Sequence, residues 1–142
     1  MTAKKLAYIL RGLPGSDRQT FAEELGSNAA SVFIQAEIAD YADKEKYNKA
    51  HKEAFHLFCT AIKEEKTPII VNNTNIRSHH YYQYADYAQR HDYYVLICIA
   101  PVNNKSDREL ARATGISELS IRRLRDKFDW KLSKPEKAND LS

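Results

Sequence analysis

Cysteine is scarce in this chain. Only Cys59 and Cys98 are present, and both fall inside apolar periodic segments, where buried free thiols are expected. A disulfide framework is excluded, and neither cysteine has a second one at metal-ligand spacing. Long hydrophobic runs are missing too. No segment approaches the ~20 apolar residues that span a bilayer. The run from Leu6 to Leu10, set between Lys5 and Arg11, is too short for a signal-peptide core. A cytoplasmic protein without membrane association is therefore expected. Nor is either sign of charge in large excess. The 22 Lys and Arg against 19 Asp and Glu leave a formal net charge of +3, too little to establish a nucleic-acid partner. Internal repeats and low-complexity segments are also lacking.

What is present is the composition of one soluble globular domain: 142 residues, 43% hydrophobic and 29% charged. A single domain over residues 1–131 is expected, followed by a flexible polar tail at 132–142. Short apolar runs rich in strand formers occur at Leu6–Leu10, Ser31–Ile38, Pro68–Val71 and Tyr93–Ala100. Between them lie helical patterns at Phe21–Leu25, closed by Gly26, at Tyr47–Lys63, and at His79–Arg90 with Ser78 as N-cap. Two further helices are read near 106–114 and 117–130. Strands alternating with helices predict an α/β fold: a parallel central sheet covered by helices on both faces, in three α/β/α layers. Ligands in such sheets bind outside the carboxyl ends of the strands. Those ends carry Gly12-Leu13-Pro14-Gly15-Ser16, then Glu37, then Asn72-Asn73-Thr74-Asn75.

The first of these segments has the context of a phosphate loop, G-x-x-x-x-G-K-[ST] between a strand and a helix. It departs from that motif at each chemical position. Asp17 stands at the second glycine, Arg18 at the lysine and Gln19 at the magnesium-binding hydroxyl, with Thr20 one residue late. Asp17 adds a carboxylate beside a polyanion, and two unit charges 4 Å apart near a surface repel by about 4 kcal/mol before screening. Arg18 keeps the charge in a longer, forked group. Gln19 offers an amide where Mg2+ takes a hydroxyl and water. The alternative is that GLPGS is only a strand-to-helix turn.

Further residues carry a resemblance. Gly12 to Thr20 is followed by Gln35-Ala36-Glu37-Ile38, Ala50-His51, Pro68-Ile69-Ile70-Val71-Asn72-Asn73-Thr74-Asn75, and Asp92-Tyr93-Tyr94-Val95. This succession resembles the small P-loop kinases related to polynucleotide 5′-kinases, the AAA-type predicted kinases, over nearly the whole chain. Their pattern runs G-L-P-G-S-G-K-S-T, S-x-D-D, A-H-x-x-N, D-N-T-N. The resemblance implies a P-loop NTPase/kinase-like fold. It places Glu37 at the general-base carboxylate, and a phosphate or nucleotide site at Gly12, Gly15, Ser16, Arg18, Thr20, Asn72 and Asn75. It also aligns Arg112 and Arg123 with phosphate-neutralising arginines of a helical lid. The family carboxylate of D-N-T-N maps onto Asn72, and the asparagine of A-H-x-x-N onto Ala54. Phosphoryl transfer is mostly positioning and charge stabilisation, so these parts are needed together. Their joint loss implies a pseudokinase.

Other patterns compete. Glu109 to Leu124 also has helix-turn-helix spacing, with Arg122, Arg123, Arg125 and Lys127 on or beside the second helix. That segment reads as a kinase lid, a DNA reader over about 108–127, or a plain helical hairpin. The helix bearing His79, His80, Tyr81, Tyr82, Tyr84 and Tyr87 is expected to cover the sheet, its hydroxyls reaching water. The charges between Asp43 and Lys66 read as a solvated helix face. No structural metal site is expected, since His51 and His56, like His79 and His80, are poorly placed to share one ion. The expected function is a degenerate kinase-like protein that binds a nucleotide, a nucleic-acid end or a protein, with ATP and Mg2+ bound weakly or not at all. The alternatives are an active nucleotide or polynucleotide 5′-kinase, with Arg18, Thr20 and Glu37 as its working parts, and a DNA-binding regulator.

Overall fold

The computed structural model describes residues 4–27, 30–36, 43–102 and 105–129. The general-base candidate Glu37 and the predicted tail at 132–142 lie outside them. Four strands form one sheet: β1 (Leu6–Arg11), β2 (Val32–Ile34), β3 (Ile69–Asn72) and β4 (Tyr94–Ile99). Their order is β2-β3-β1-β4, and every pair is parallel. The described residues form five helices: α1 (Arg18–Leu25), α2 (Lys44–Lys63), α3 (Ser78–Arg90), α4 (Asp107–Thr114) and α5 (Glu118–Lys127).

Strand alternation sorts the side chains between the two faces. Ala7, Ile9, Ile69, Val71 and Ile34 point into the main core, against α2 and α3. On α2, Ala50, Ala54, Phe58, Ala61 and Ile62 make the buried stripe. Phe58 is fully buried, worth roughly 1.5–3 kcal/mol of burial. It meets the ring of Tyr84 on α3 edge-on at 4.9 Å. The Asp43 side chain caps α2 by accepting from the Lys46 N–H at 3.1 Å. On the opposite face Leu10 and Ile70 pack on Ala22 of α1.

That second face is only partly covered. An eight-residue helix is about 12 Å long and cannot roof four strands. Tyr94 and Leu96 of β4, in register with Leu6 and Tyr8, stay 53% and 42% exposed. Helices thus lie on both faces, as expected, with α1 covering the smaller share among the described residues.

The α4–α5 hairpin sits at the carboxyl end of the sheet. Leu110 and Ile121 join Leu13, Ile76 and Phe128 in a separate core. Ser106 and Glu109 cap α4 reciprocally, each side chain accepting the other's N–H at 3.2 Å. Gly115, at φ +78°, ends α4 in the left-handed conformation.

Several expectations shift. Of the strand expected over Ser31–Ile38, β2 takes Val32–Ile34, and the last two residues lie outside the described ones. Ser78 is the first residue of α3 and not its N-cap; that place belongs to Arg77, whose N–H is taken by His80 Nδ1 at 3.2 Å. α5 ends at Lys127 because Phe128 turns to extended backbone and drops its ring into the hairpin core. Cys59 and Cys98 are half-buried free thiols rather than buried ones, and burial raises the pKa of each. α3 does cover the sheet, but the hydroxyls of Tyr81 and Tyr84 are themselves buried. Tyr84 is pushed up to about 12, chiefly by burial.

Candidate phosphate-loop site

The segment after β1 is a tight turn. Pro14 and Gly15 occupy its centre, Gly15 has φ +82°, and Ser16 N–H donates back to the Leu13 carbonyl at 3.0 Å. Proline followed by a positive-φ glycine gives a type II turn. Two further amides of the segment are engaged by protein carbonyls. Gly12 N–H donates to the Thr74 carbonyl at 3.0 Å, and Asp17 N–H to the Pro101 carbonyl at 3.2 Å. The turn is also crowded. A Cβ on Gly12 would lie 2.6 Å from Ser16 Oγ, and one on Gly15 would lie 3.0 Å from the Leu110 side chain and 3.4 Å from its Cα. The turn is thus wedged beneath α4.

Asp17 does not cap α1 with its side chain. Its carboxylate lies 3.8 Å from Lys105 Nζ, which also donates to the Gly15 carbonyl at 3.2 Å. Lys105, from the β4–α4 connection, was not read in the sequence as part of the site. Its nearest loop partners lie some 90 residues earlier in the chain, a separation that spacing arguments do not reach.

Beneath the turn, polar side chains close the cleft at the strand ends. Arg18 Nη1 donates to Asn72 Oδ1 at 3.0 Å. The Asn72 amide donates to Gln19 Oε1 at 2.9 Å and Gln35 Oε1 at 3.2 Å. Asn73 Oδ1 accepts from Ala36 N–H at 2.8 Å. The remaining cavity measures about 20 Å3, lined by Arg18, Gln35, His51 and Asn72 to Thr74 among others. That is room for about one water. His51 Nε2 is buried there without a hydrogen-bond partner among the described residues, and burial lowers its pKa.

The other candidate residues are placed as follows. Asn75, at φ +46°, donates to the Leu10 carbonyl at 2.8 Å and faces β1 rather than a ligand space. Thr20 is exposed on α1, and Arg112 is exposed on α4. Arg122 and Arg125 of α5 both reach Asp107 of α4, at 3.9 Å and 2.8 Å. Arg123 points to a separate cavity shared with Arg77 and Lys127. The structure therefore gathers Gly12, Gly15, Ser16, Arg18 and Asn72 at one sheet edge, and sets Thr20, Asn75, Arg112 and Arg123 apart from it.

Arg11 is a functional-looking residue that the sequence hid at the end of an apolar run. It is fully buried. Its Nε donates to the Asn75 carbonyl at 2.8 Å, and its Nη2 to the carbonyls of Ile76 at 3.0 Å and Asp129 at 2.5 Å. The guanidinium lies between the rings of Tyr81 and Phe128, 4.9 and 4.7 Å from their centroids. Burial lowers its pKa, but with acceptors at each edge it remains a structural cation.

A four-stranded parallel sheet between helices, with a glycine turn leading from β1 into α1, is the fold of P-loop kinase-like α/β proteins. Two solved structures match it. One is Kti12 from Chaetomium thermophilum, crystallised with ADP–AlF3, with a TM-score of 0.56 and 16% identity over 87% of this chain and 80% of that one. The other is APE1195, with a TM-score of 0.57 and 16% identity over 89% of this chain and 74% of that one. At these identities the likeness is one of fold. In sequence, 93% of the chain is similar to human NEDD4-binding protein 2, at 29% identity over 148 aligned positions, and spans 8% of that protein's length. No protein-family model matches the chain. Among the described residues no helix is long and apolar enough to cross a membrane, and no group of three or more His, Cys, Asp or Glu is placed to hold a metal ion.

Proposed function

We propose that this chain is a non-catalytic P-loop kinase-like protein that acts by binding a nucleotide or nucleic-acid end. One observation carries the reading. The Arg18–Asn72–Gln19–Gln35 network fills the strand-end cleft beside the Gly12–Ser16 turn. The lysine replacement faces the strand ends, and the loop amides of Ser16 and Asp17 are bound to protein carbonyls. An anion entering here would have to break the three hydrogen bonds of this network before making any. The ADP–AlF3 bound to the structural neighbour supports nucleotide as the ligand class. Magnesium has no hydroxyl at Gln19, and Thr20 lies exposed on α1.

A second reading keeps catalysis. It rests on Lys105, whose ammonium group stands beside the loop and would replace the missing lysine, with Glu37 as base. A third, the DNA reader, is weakened by α5 itself. Arg122 and Arg125 are tied to Asp107 instead of standing free on a convex face.

The test is direct. Calorimetry with ATP and Mg2+ should give binding weaker than ~100 μM. Labelled γ-phosphate should not pass to a 5′-hydroxyl oligonucleotide above the blank. Low-micromolar binding with transfer would establish the catalytic reading instead. The triple change Asp17→Gly, Arg18→Lys and Gln19→Ser should tighten ATP binding by dissolving the network.

A further inference from the structure

A cavity among the described residues lies away from the phosphate loop. It lies between the start of α3 and the side of α5, just beyond the carboxyl end of β3, with a volume of about 520 Å3. That is within the range of small-molecule sites. Its apolar part comes from Ile76 and Leu124 and from the ring of Tyr47. Its charged part comes from Arg77, Arg123 and Lys127. None of these three cations has an ion-pair partner among the described residues, whereas Arg122 and Arg125 on the same helix share Asp107. No described acidic side chain lines this cavity. Asp126 and Asp129 face a neighbouring hollow that Arg77 and Lys127 also border. Arg123 and Lys127 are four apart on α5, a like-charged spacing that mildly destabilises a helix. Convergence of these cations over an apolar wall describes a ligand with an anionic end and a flat apolar body.

We propose that this cavity binds a nucleoside 5′-monophosphate unit, with the phosphate at Arg77, Arg123 and Lys127 and the base against Tyr47, Ile76 and Leu124. The proposal rests on the reading that the chain acts by binding, and it supplies the place that the closed phosphate loop lacks. Arginine holds phosphate through paired N–H donors and needs no glycine loop to do so. Aromatic and aliphatic walls accept any base, since every base has a π-face. The same unit occurs as a free nucleotide and as the 5′-phosphorylated end of a single strand.

The test uses the full chain with two probes, AMP by calorimetry and a 5′-phosphorylated, 3′-fluorescein-labelled hexathymidylate by anisotropy. Binding of at least one probe is expected, weakened about tenfold or more by the double change Arg123→Gln and Lys127→Gln, through loss of charge-assisted hydrogen bonds. Arg90→Gln, which removes one cation at the far end of α3, should leave it unaltered. Equal binding of AMP and the strand identifies the free nucleotide as sufficient. A strand that binds tighter than AMP, and tighter than its 5′-hydroxyl form, identifies the strand end. The proposal is overturned if neither probe binds, if Arg90→Gln weakens binding as much as the double change, or if ribose 5-phosphate binds as well as AMP. The two readings fail separately. Phosphoryl transfer from ATP would remove the non-catalytic reading and leave this cavity standing, while an inert cavity would leave the closed loop as described.

Discussion

The guanidinium of Arg18 donates to the side-chain oxygen of Asn72 across 54 residues of sequence, at 3.0 Å. Asn72 is 3% exposed, so removing its donor leaves a buried oxygen unsatisfied. Arg18→Ala should therefore cost about 1–3 kcal/mol, read as a lower urea midpoint with unchanged slope. A neutral result would mean that Arg18 is not held by this network in solution. Asn72→Asp should also destabilise, because its second oxygen would face Gln19 Oε1 and Gln35 Oε1, which now accept from the Asn72 amide.

Two glycines allow backbone strain to be separated from packing. Gly15 and Gly115 both have positive φ, at +82° and +78°. A Cβ on Gly115 meets nothing within 4 Å, while one on Gly15 meets Leu110 and Thr114. Gly115→Ala should cost about 1 kcal/mol, the penalty for a left-handed alanine. Gly15→Ala should cost a further 1–3 kcal/mol or so from overpacking against α4. Equal midpoints for the two variants in thermal melts would show that the turn is not wedged under the hairpin.

His80 should make stability fall in acid. Its folded pKa is lowered from 6.5 to about 4, first by burial and then by His79, His51, Arg77 and Arg11. Its Nδ1 accepts from Arg77 N–H, which fixes the neutral ring. Above pH 6.5 both folded and unfolded states are neutral, and the contribution is complete. As pH falls from 6.5 to 4, the unfolded chain binds a proton that the folded one refuses, and up to about 3 kcal/mol is lost. The His80→Gln variant should show a shallower decline over this window than the parent. Parallel curves would rule out the shift.

Arg11 should be among the least replaceable residues. Arg11→Ala takes this donor from the carbonyls of Asn75 and Asp129 and one of two donors from that of Ile76, which keeps the Asp129 N–H, and it opens a void between Tyr81 and Phe128. The cost should be on the order of 3–5 kcal/mol. Arg11→Lys should recover only part of this, since an ammonium group cannot stack between two rings and reach all three carbonyls in one plane. Denaturant titration of both variants checks the order.

The strands were legible because each is a continuous apolar run stopped by turn residues, and their alternation with helical patterns foretold the parallel sheet. Helix limits were less so. Arg77 precedes α3 with no capping residue type, and its N–H is satisfied by a histidine three positions on. The site was legible as a place, through Gly12, Gly15, Arg18 and Asn72, but not as an arrangement. Sequence spacing shows where Arg18 starts and not that it turns toward Asn72. Lys105 and Arg11 make their contacts across 90 and 64 or more residues, so nothing local marks them. Arg122, Arg123 and Arg125 look alike in sequence, and only the packing of α5 divides them between Asp107 and the cavity.

Pro101, Lys105 and Leu110 hold the Pro14–Gly15 turn from above, through the Asp17 amide, the Gly15 carbonyl and side-chain contact. In a loop organised by its ligand, the anion removes the loop's conformational freedom on arrival. Here that freedom is lost when the chain folds. The amides of Ser16 and Asp17 should then exchange with solvent at the pace of the β1 amides, as parts of one cooperative unit. The turn is then as permanent as the strand that leads into it.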